Sequence, residues 1–153
     1  MEIAKLQKSD MKNALELIWC VFQEFEAPDY SEQGVNTFKE FICYDSITEK
    51  LENGQMMFWG CFISGDLTGV IAIRDTNHIS MLFVKKEYQR KGIAKKLFQT
   101  LVEYCKTNES IKSITVNSSP YALEIYHHLG FKDTNAEQTV DGIRFTSMKY
   151  VIK

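Results

Sequence analysis

The sequence predicts a mixed α/β fold, a mostly antiparallel sheet flanked by helices. Three observations carry this reading. Strand-like runs at 56–63, 67–74 and 78–84 are separated only by turn residues, which makes an antiparallel meander. A helix-like run then separates 78–84 from another strand at 113–117, and parallel neighbours need such a crossover. The rest of the chain alternates between helical spacing and short apolar runs, with no linker, repeat or low-complexity segment.

Each element has a local reason. Residues 2–6 alternate polar and apolar, as a first strand does. Ser9-Asp10 offers a cap, and Leu15, Ile18, Trp19, Phe22 and Phe25 then fall on one face of a helix over 11–25. Pro28 breaks it. Ser31 and Glu32 start a second helix, with Val35, Phe38, Phe41 and Ile42 on its inner face. Residues 45–51 add a helical turn that Asn53-Gly54 ends. The aromatic run 56–63 turns at Ser64-Gly65-Asp66 into 67–74, and Asp75-Thr76-Asn77 turns the chain into 78–84. A helix then runs to about residue 106. After the strand at 113–117, Ser119-Pro120 is a cap with proline at the first helical position. The helix over 121–128 stops at Gly130. The tail, 131–152, holds two strands around Asp141-Gly142.

Composition narrows the function. With 153 residues, 44% hydrophobic and 25% charged, the chain reads as one globular domain, 1–153. A formal net charge of −2 gives no basic field, so nucleic acid is not an expected partner. No apolar run approaches the roughly 18 residues that span a bilayer. The start, Met1-Glu2-Ile3-Ala4-Lys5, lacks a signal-peptide pattern. Cys20, Cys43, Cys61 and Cys105 form no C-x-x-C pair and read as reduced, mostly buried thiols of a cytoplasmic protein. No metal site is expected, because no ligand cluster shows metal spacing.

One loop carries the chemistry. Gln89-Arg90-Lys91-Gly92-Ile93-Ala94 lies between the strand ending Leu82-Phe83-Val84 and a helix opening Ala94-Lys95-Lys96. The first N–H groups of a helix have no intrahelical partner, and the dipole adds positive charge there. Gly92 leaves the backbone open to a phosphate. Basic side chains at a helix N-terminus oppose the dipole, so Arg90, Lys91, Lys95 and Lys96 make sense with an anion between them. In open α/β sheets ligands bind beyond the carboxyl ends of strands, here where Val84 and Asn117 end.

Two motifs make the chain resemble the GCN5-related N-acetyltransferase (GNAT) superfamily. One is a Q/R-x-x-G-x-G/A signature, matched by Gln89, Gly92 and Ala94. The other is a strand end, a small polar residue, an alanine, a tyrosine and Gly-Phe: Asn117, Ser119, Ala122, Tyr126, Gly130 and Phe131. Many members carry asparagine where Ser119 stands, and Asn117 is a candidate for that contact.

The resemblance implies a GNAT fold with a central sheet of about seven strands and a splayed parallel pair that holds the cofactor. It implies acetyl-CoA as cofactor. Arg90 to Ala94 and Lys95 would take the pyrophosphate, and the strand edge Leu82-Phe83-Val84 the pantetheine amides. Backbone N–H groups near Phe83 and Val84 would face the oxyanion. Tyr126 matches the family's proton donor to the departing thiolate, a role that suits a phenol of pKa roughly 10. The family's acceptor site lies near the first helix break, which makes Glu26, Asp29 and Tyr30 acceptor-side candidates. His78 is another, as a residue that titrates near neutrality. The implied reaction is acetyl transfer to a primary amine, on a small molecule or peptide, by direct attack in a ternary complex. The alternative is a sensor module that holds acyl-CoA without efficient transfer. Many members are homodimers built on the tail strands, so a homodimer is compatible with the resemblance.

Overall fold

A computed structural model describes residues Met1–Lys153. The strands are β1 (Glu2–Lys5), β2 (Met56–Ile63), β3 (Asp66–Arg74), β4 (His78–Val84), β5 (Ser113–Ser118), β6 (Lys132–Asp133), β7 (Gln138–Val140) and β8 (Ile143–Val151). The helices are α1 (Met11–Val21), α2 (Glu32–Phe41), α3 (Tyr44–Glu52), α4 (Ile93–Lys106) and α5 (Leu123–Leu129). The strands form one sheet in the order β1-β2-β3-β4-β5-β8-β6, and β7 also pairs with β8. All pairs are antiparallel except β4 and β5. The predicted fold class holds, with the tail divided into three strands rather than two.

The sheet carries a core on each face. On one side α4 buries Ile93, Leu97, Phe98, Leu101 and Val102, and Tyr126 and Phe131 join them against β4 and β5. On the other, Ile18 and Phe22 pack with Ile47, Phe58, Val70 and Phe83. The strand β3 is buried from Leu67 to Ile73, as expected of a strand covered on both faces. Phe58 and Trp59 lie in opposite cores, as expected of neighbours on a strand. Of the four free cysteines, Cys61 and Cys105 are buried, but Cys20 and Cys43 are exposed, which corrects the reading of mostly buried thiols.

One irregularity positions the site. β4 carries an extra residue, Ser80, between the pairs Ala72–Met81 and Ile73–Ile79. Such a bulge bends its strand. The parallel pairing with β5 covers only His78–Thr115 and Ile79–Val116, and the two strands then part. The closed end is held by Asn77 Nδ2, which donates to the Ser113 carbonyl at 2.9 Å, and by the 2.8 Å contact of His78 Nδ1 with Thr115 Oγ1.

The tail is docked by close backbone contact. The β7–β8 turn places Asp141 and Gly142 at φ +53° and +79°, and Thr37 Oγ1 donates to the Asp141 carbonyl at 2.9 Å. A Cβ at Gly34, inside α2, would stand 2.1 Å from the Gly142 carbonyl oxygen. Alanine normally stabilises a helix interior by roughly 1 kcal/mol over glycine. Here the obstacle is backbone, which cannot rotate away, so overpacking decides the sign. Gly34→Ala is expected to lower stability by about 2 kcal/mol, read as a Tm drop of about 4–8 °C in a thermal melt. A rise in Tm would show that hairpin and helix are not in contact.

Candidate active site

The loop after β4 takes the shape its sequence suggests. A 3-10 turn, Lys86–Tyr88, leads to Arg90 at φ +63° and Gly92 at φ +81°, and α4 begins at Ile93. A Cβ at Gly92 would meet nothing within 4 Å, so the space over these backbone groups is open. Gln89 folds inward. Its Nε2 donates to the Val84 carbonyl at 3.0 Å, and its Oε1 accepts from the Tyr121 hydroxyl at 3.4 Å. The glutamine of the motif thus ties the loop to the end of β4.

A cavity of about 840 Å³ opens where β4 and β5 part. Leu82, Phe83, Val84, Gln89, Arg90, Gly92, Ile93, Ala94, Lys95 and Tyr126 line it, and all were expected from the sequence. Three expected cofactor contacts lie outside the lining. Lys91 places its Nζ 5.5 Å from the Tyr88 ring centroid, a cation–π contact. Asn117 accepts from Ser147 Oγ at 2.9 Å, on the β5–β8 pair. Ser119 closes the turn before α5 by accepting from the Ala122 N–H at 3.2 Å, and the helix begins at Leu123, two residues later than the expected start at 121.

The first helix changes character where it meets the cavity. After Val21 the chain makes a π-helical turn, Phe22–Glu26, closed by the Ala27 N–H donating to the Phe22 carbonyl. Such turns are often found at functional sites. Phe22 stays in the core, stacked on Phe38 with centroids 4.1 Å apart, and Glu26, at the other end of the turn, is buried at 9% exposure. Phe25 instead stacks on Tyr121 at 5.0 Å, and Lys86 Nζ meets Glu24 Oε1 at 3.1 Å. The turn is thereby fastened to both arms of the splay.

Of the acceptor-side candidates, Glu26 lines the cavity. Asp29 and Tyr30 are half-buried neighbours whose charge or hydroxyl acts on it, and the Asp29 carbonyl accepts from Arg144 Nη1 at 3.2 Å. His78 is not brought there. It sits at the closed end of the β4–β5 pair, and burial, with Arg74 nearby, lowers its pKa to about 4. It is a neutral bolt between strands.

The electrostatics follow from burial. Burial raises the Glu26 carboxyl to about 7; the neighbouring Ser119 side chain pulls it down and Asp29 pushes it up. Burial, and then Glu26, hold the Tyr126 phenol far above its ordinary value. The same two causes raise Tyr121. Sequence reasoning gave no role to Tyr121 or to the cavity walls Phe98 and Val102 of α4 and Leu129 of α5. The helical spacing of the last three was visible, but it reads equally as core.

Comparison with known proteins places this geometry. Residues 26–152 match the acetyltransferase (GNAT) domain family. The chain is 32% identical over 125 residues to the uncharacterized N-acetyltransferase YafP of Escherichia coli K12, covering 79% of this chain and 76% of that protein. It is similar in structure to a GCN5-related N-acetyltransferase from Rhodopseudomonas palustris, with TM-score 0.84, 17% identity and coverage of 98% and 94%. It is also similar to the PaiA N-acetyltransferase of Thermoplasma acidophilum in complex with coenzyme A, with TM-score 0.78, 21% identity and 99% of each chain covered. The chain belongs to the GNAT acetyltransferase family. It is an N-acetyltransferase, and its acyl donor is acetyl-CoA.

Proposed function

We propose that the protein moves the acetyl group of acetyl-CoA to a primary amine by direct attack in a ternary complex. One observation carries this reading. A single cavity runs from the open backbone at Gly92, along the edge of β4, to Tyr126 and Glu26. The open cradle at Gly92 and the unpaired stretch of β4 fit a diphosphate joined to an amide-bearing arm. Bound acetyl-CoA supplies an activated acyl group that an amine can attack. The N–H groups from Arg90 to Ala94, with Lys95 beside them, hold the diphosphate. Backbone from Leu82 to Val84 takes the amides and faces the developing oxyanion. The Tyr126 hydroxyl gives a proton to the departing sulfur.

The acceptor enters from the side of the π-turn. Glu24, Glu26 and Asp29 cluster there with Phe25, Tyr30 and Tyr121, which suits a cationic amine with an apolar body. The free thiols agree with a cytoplasmic setting, and no helix is long and apolar enough to cross a membrane. Titration calorimetry with acetyl-CoA is expected to show one site with a micromolar Kd. No heat of binding at high micromolar ligand, in a folded sample, would remove the proposal.

A further inference from the structure

Glu26 is the only charged residue in the protein's buried set. The other carboxylates of the cavity wall, Glu103 and Glu124, are exposed. An ionised carboxylate out of water ordinarily needs a cation beside it. Glu26 joins none of the protein's ion pairs. Arg90 and Lys95 of the cavity wall join no ion pair and neither acts on Glu26, while the cations beside the turn are committed elsewhere. Lys86 is paired with Glu24, and Arg144 with Glu137 while it also donates to the Asp29 carbonyl. A packing role does not call for a carboxylate here, because an apolar side chain fills the same space at lower cost.

The surroundings of Glu26 are hydroxyls and acids. Asp29 and Tyr30 face it from the turn that follows, and Ser119, Tyr121 and Tyr126 from α5 and its approach. Arg144 of β8 acts on Tyr30. The widened turn at Phe22–Glu26 puts this group in the same cavity as Tyr126, so one site holds two proton-bearing groups of opposite tendency.

We propose that Glu26 is the general base of the transfer, taking a proton from the ammonium group of the acceptor within the cavity. This rests on the acetyl-transfer reading above. The step breaks an N–H bond of the ammonium and forms an O–H bond on Glu26, and the freed lone pair is the nucleophile. The C–N bond forms as the thioester C–S bond breaks. The nitrogen sheds a second proton on becoming an amide, and the sulfur takes one from Tyr126, which that second proton replenishes. Glu26 returns its own proton to solvent, so the products are amide, thiol and one proton. A carboxyl held by burial at about 7 is partly ionised at neutral pH and is a stronger base than an exposed one.

The test uses Glu26→Gln, which keeps shape, with Glu26→Asp as a partial rescue. Thiol release is followed with acetyl-CoA and three amine probes: 1,5-diaminopentane, phenethylamine and glycinamide. The wild-type kcat/KM is expected to rise with pH through an inflection near 7, set by Glu26. In Glu26→Gln it falls about 10²-fold at neutral pH. Its remaining rate climbs with pH toward the pKa of each amine, because only the free amine then reacts. The acetyl-CoA Kd stays within about threefold, since the diphosphate and amide contacts are elsewhere.

Stability offers a readout that needs no acceptor. The carboxyl is raised from 4.5 to about 7 in the folded state, so the native protein holds the proton longer than the unfolded chain. Wild-type stability therefore falls as pH rises from about 4.5 to about 7, and Glu26→Gln lacks this component. A variant that keeps the rate and the inflection near neutrality overturns the base assignment alone. A wild-type protein that binds acetyl-CoA yet acetylates none of the probes overturns the transfer reading together with it.

Discussion

Tyr126→Phe is expected to lower kcat by about 10³-fold while acetyl-CoA affinity changes less than about threefold, within the range that a positioned proton donor contributes. The change removes one oxygen. The ring keeps its edge-on contact with Phe131, 5.3 Å away at 75°, and its place in the core at 4% exposure, so the fold is preserved. Burial and the Glu26 carboxylate disfavour the phenolate strongly. The group thus stays protonated throughout the working range, as the proposed donor must. The kcat profile should show no tyrosine limb below about pH 10. Single-turnover thiol release separates chemistry from product release. Unchanged turnover, with chemistry limiting, would leave Tyr126 a core aromatic.

How much of this was legible in the sequence differs between the two halves of the cavity. The loop Gln89 to Ala94 declares itself, because a glycine, a preceding strand and a misplaced cluster of cations are local features. Ser31 likewise caps α2 by accepting from the Gly34 N–H, whereas Ser119 closes only the turn before α5, whose N-cap is Ala122. The first helix does not declare itself. Its 3.6-residue spacing runs through Phe22 and Phe25, but the shift to a π-turn is a tertiary event, set as Phe25 stacks on Tyr121 and Phe22 on Phe38. The burial of Glu26 is therefore invisible in the pattern. The open end of the β4–β5 pair was legible, since a ligand is expected where Val84 and Asn117 end, and His78, which opens β4, lies at the other end. The bulge at Ser80 was not, because composition does not announce a bulge. Strand β6 has only two residues and is defined by pairing with β8 alone. The exposure of Cys20 was legible and misread, because it stands off the stripe formed by Ile18 and Phe22.

The second large effect is expected at Gly92, where Gly92→Glu should weaken acetyl-CoA binding by about 10²-fold. Two contributions need separating. At φ +81° any side chain is strained, and a non-glycine residue there costs about 1–2 kcal/mol of stability. Gly92→Ala carries that strain without charge. A Cβ at this position meets no protein atom within 4 Å, so alanine is accommodated by the chain and intrudes only on the space above it. The glutamate variant adds a negative charge near a diphosphate. At an effective dielectric near 20 and a few ångströms of separation, repulsion is worth about 3 kcal/mol, which is about 10²-fold in Kd. Arg90 and Lys95 line the same cavity and offset part of it. Salt then discriminates between the causes. Repulsion at an exposed loop is screened, so the glutamate defect should shrink as ionic strength rises while the alanine defect stays put. Calorimetry on both variants at low and high salt measures the two together. Equal affinities for Gly92→Ala and Gly92→Glu would mean that the diphosphate does not sit over this turn.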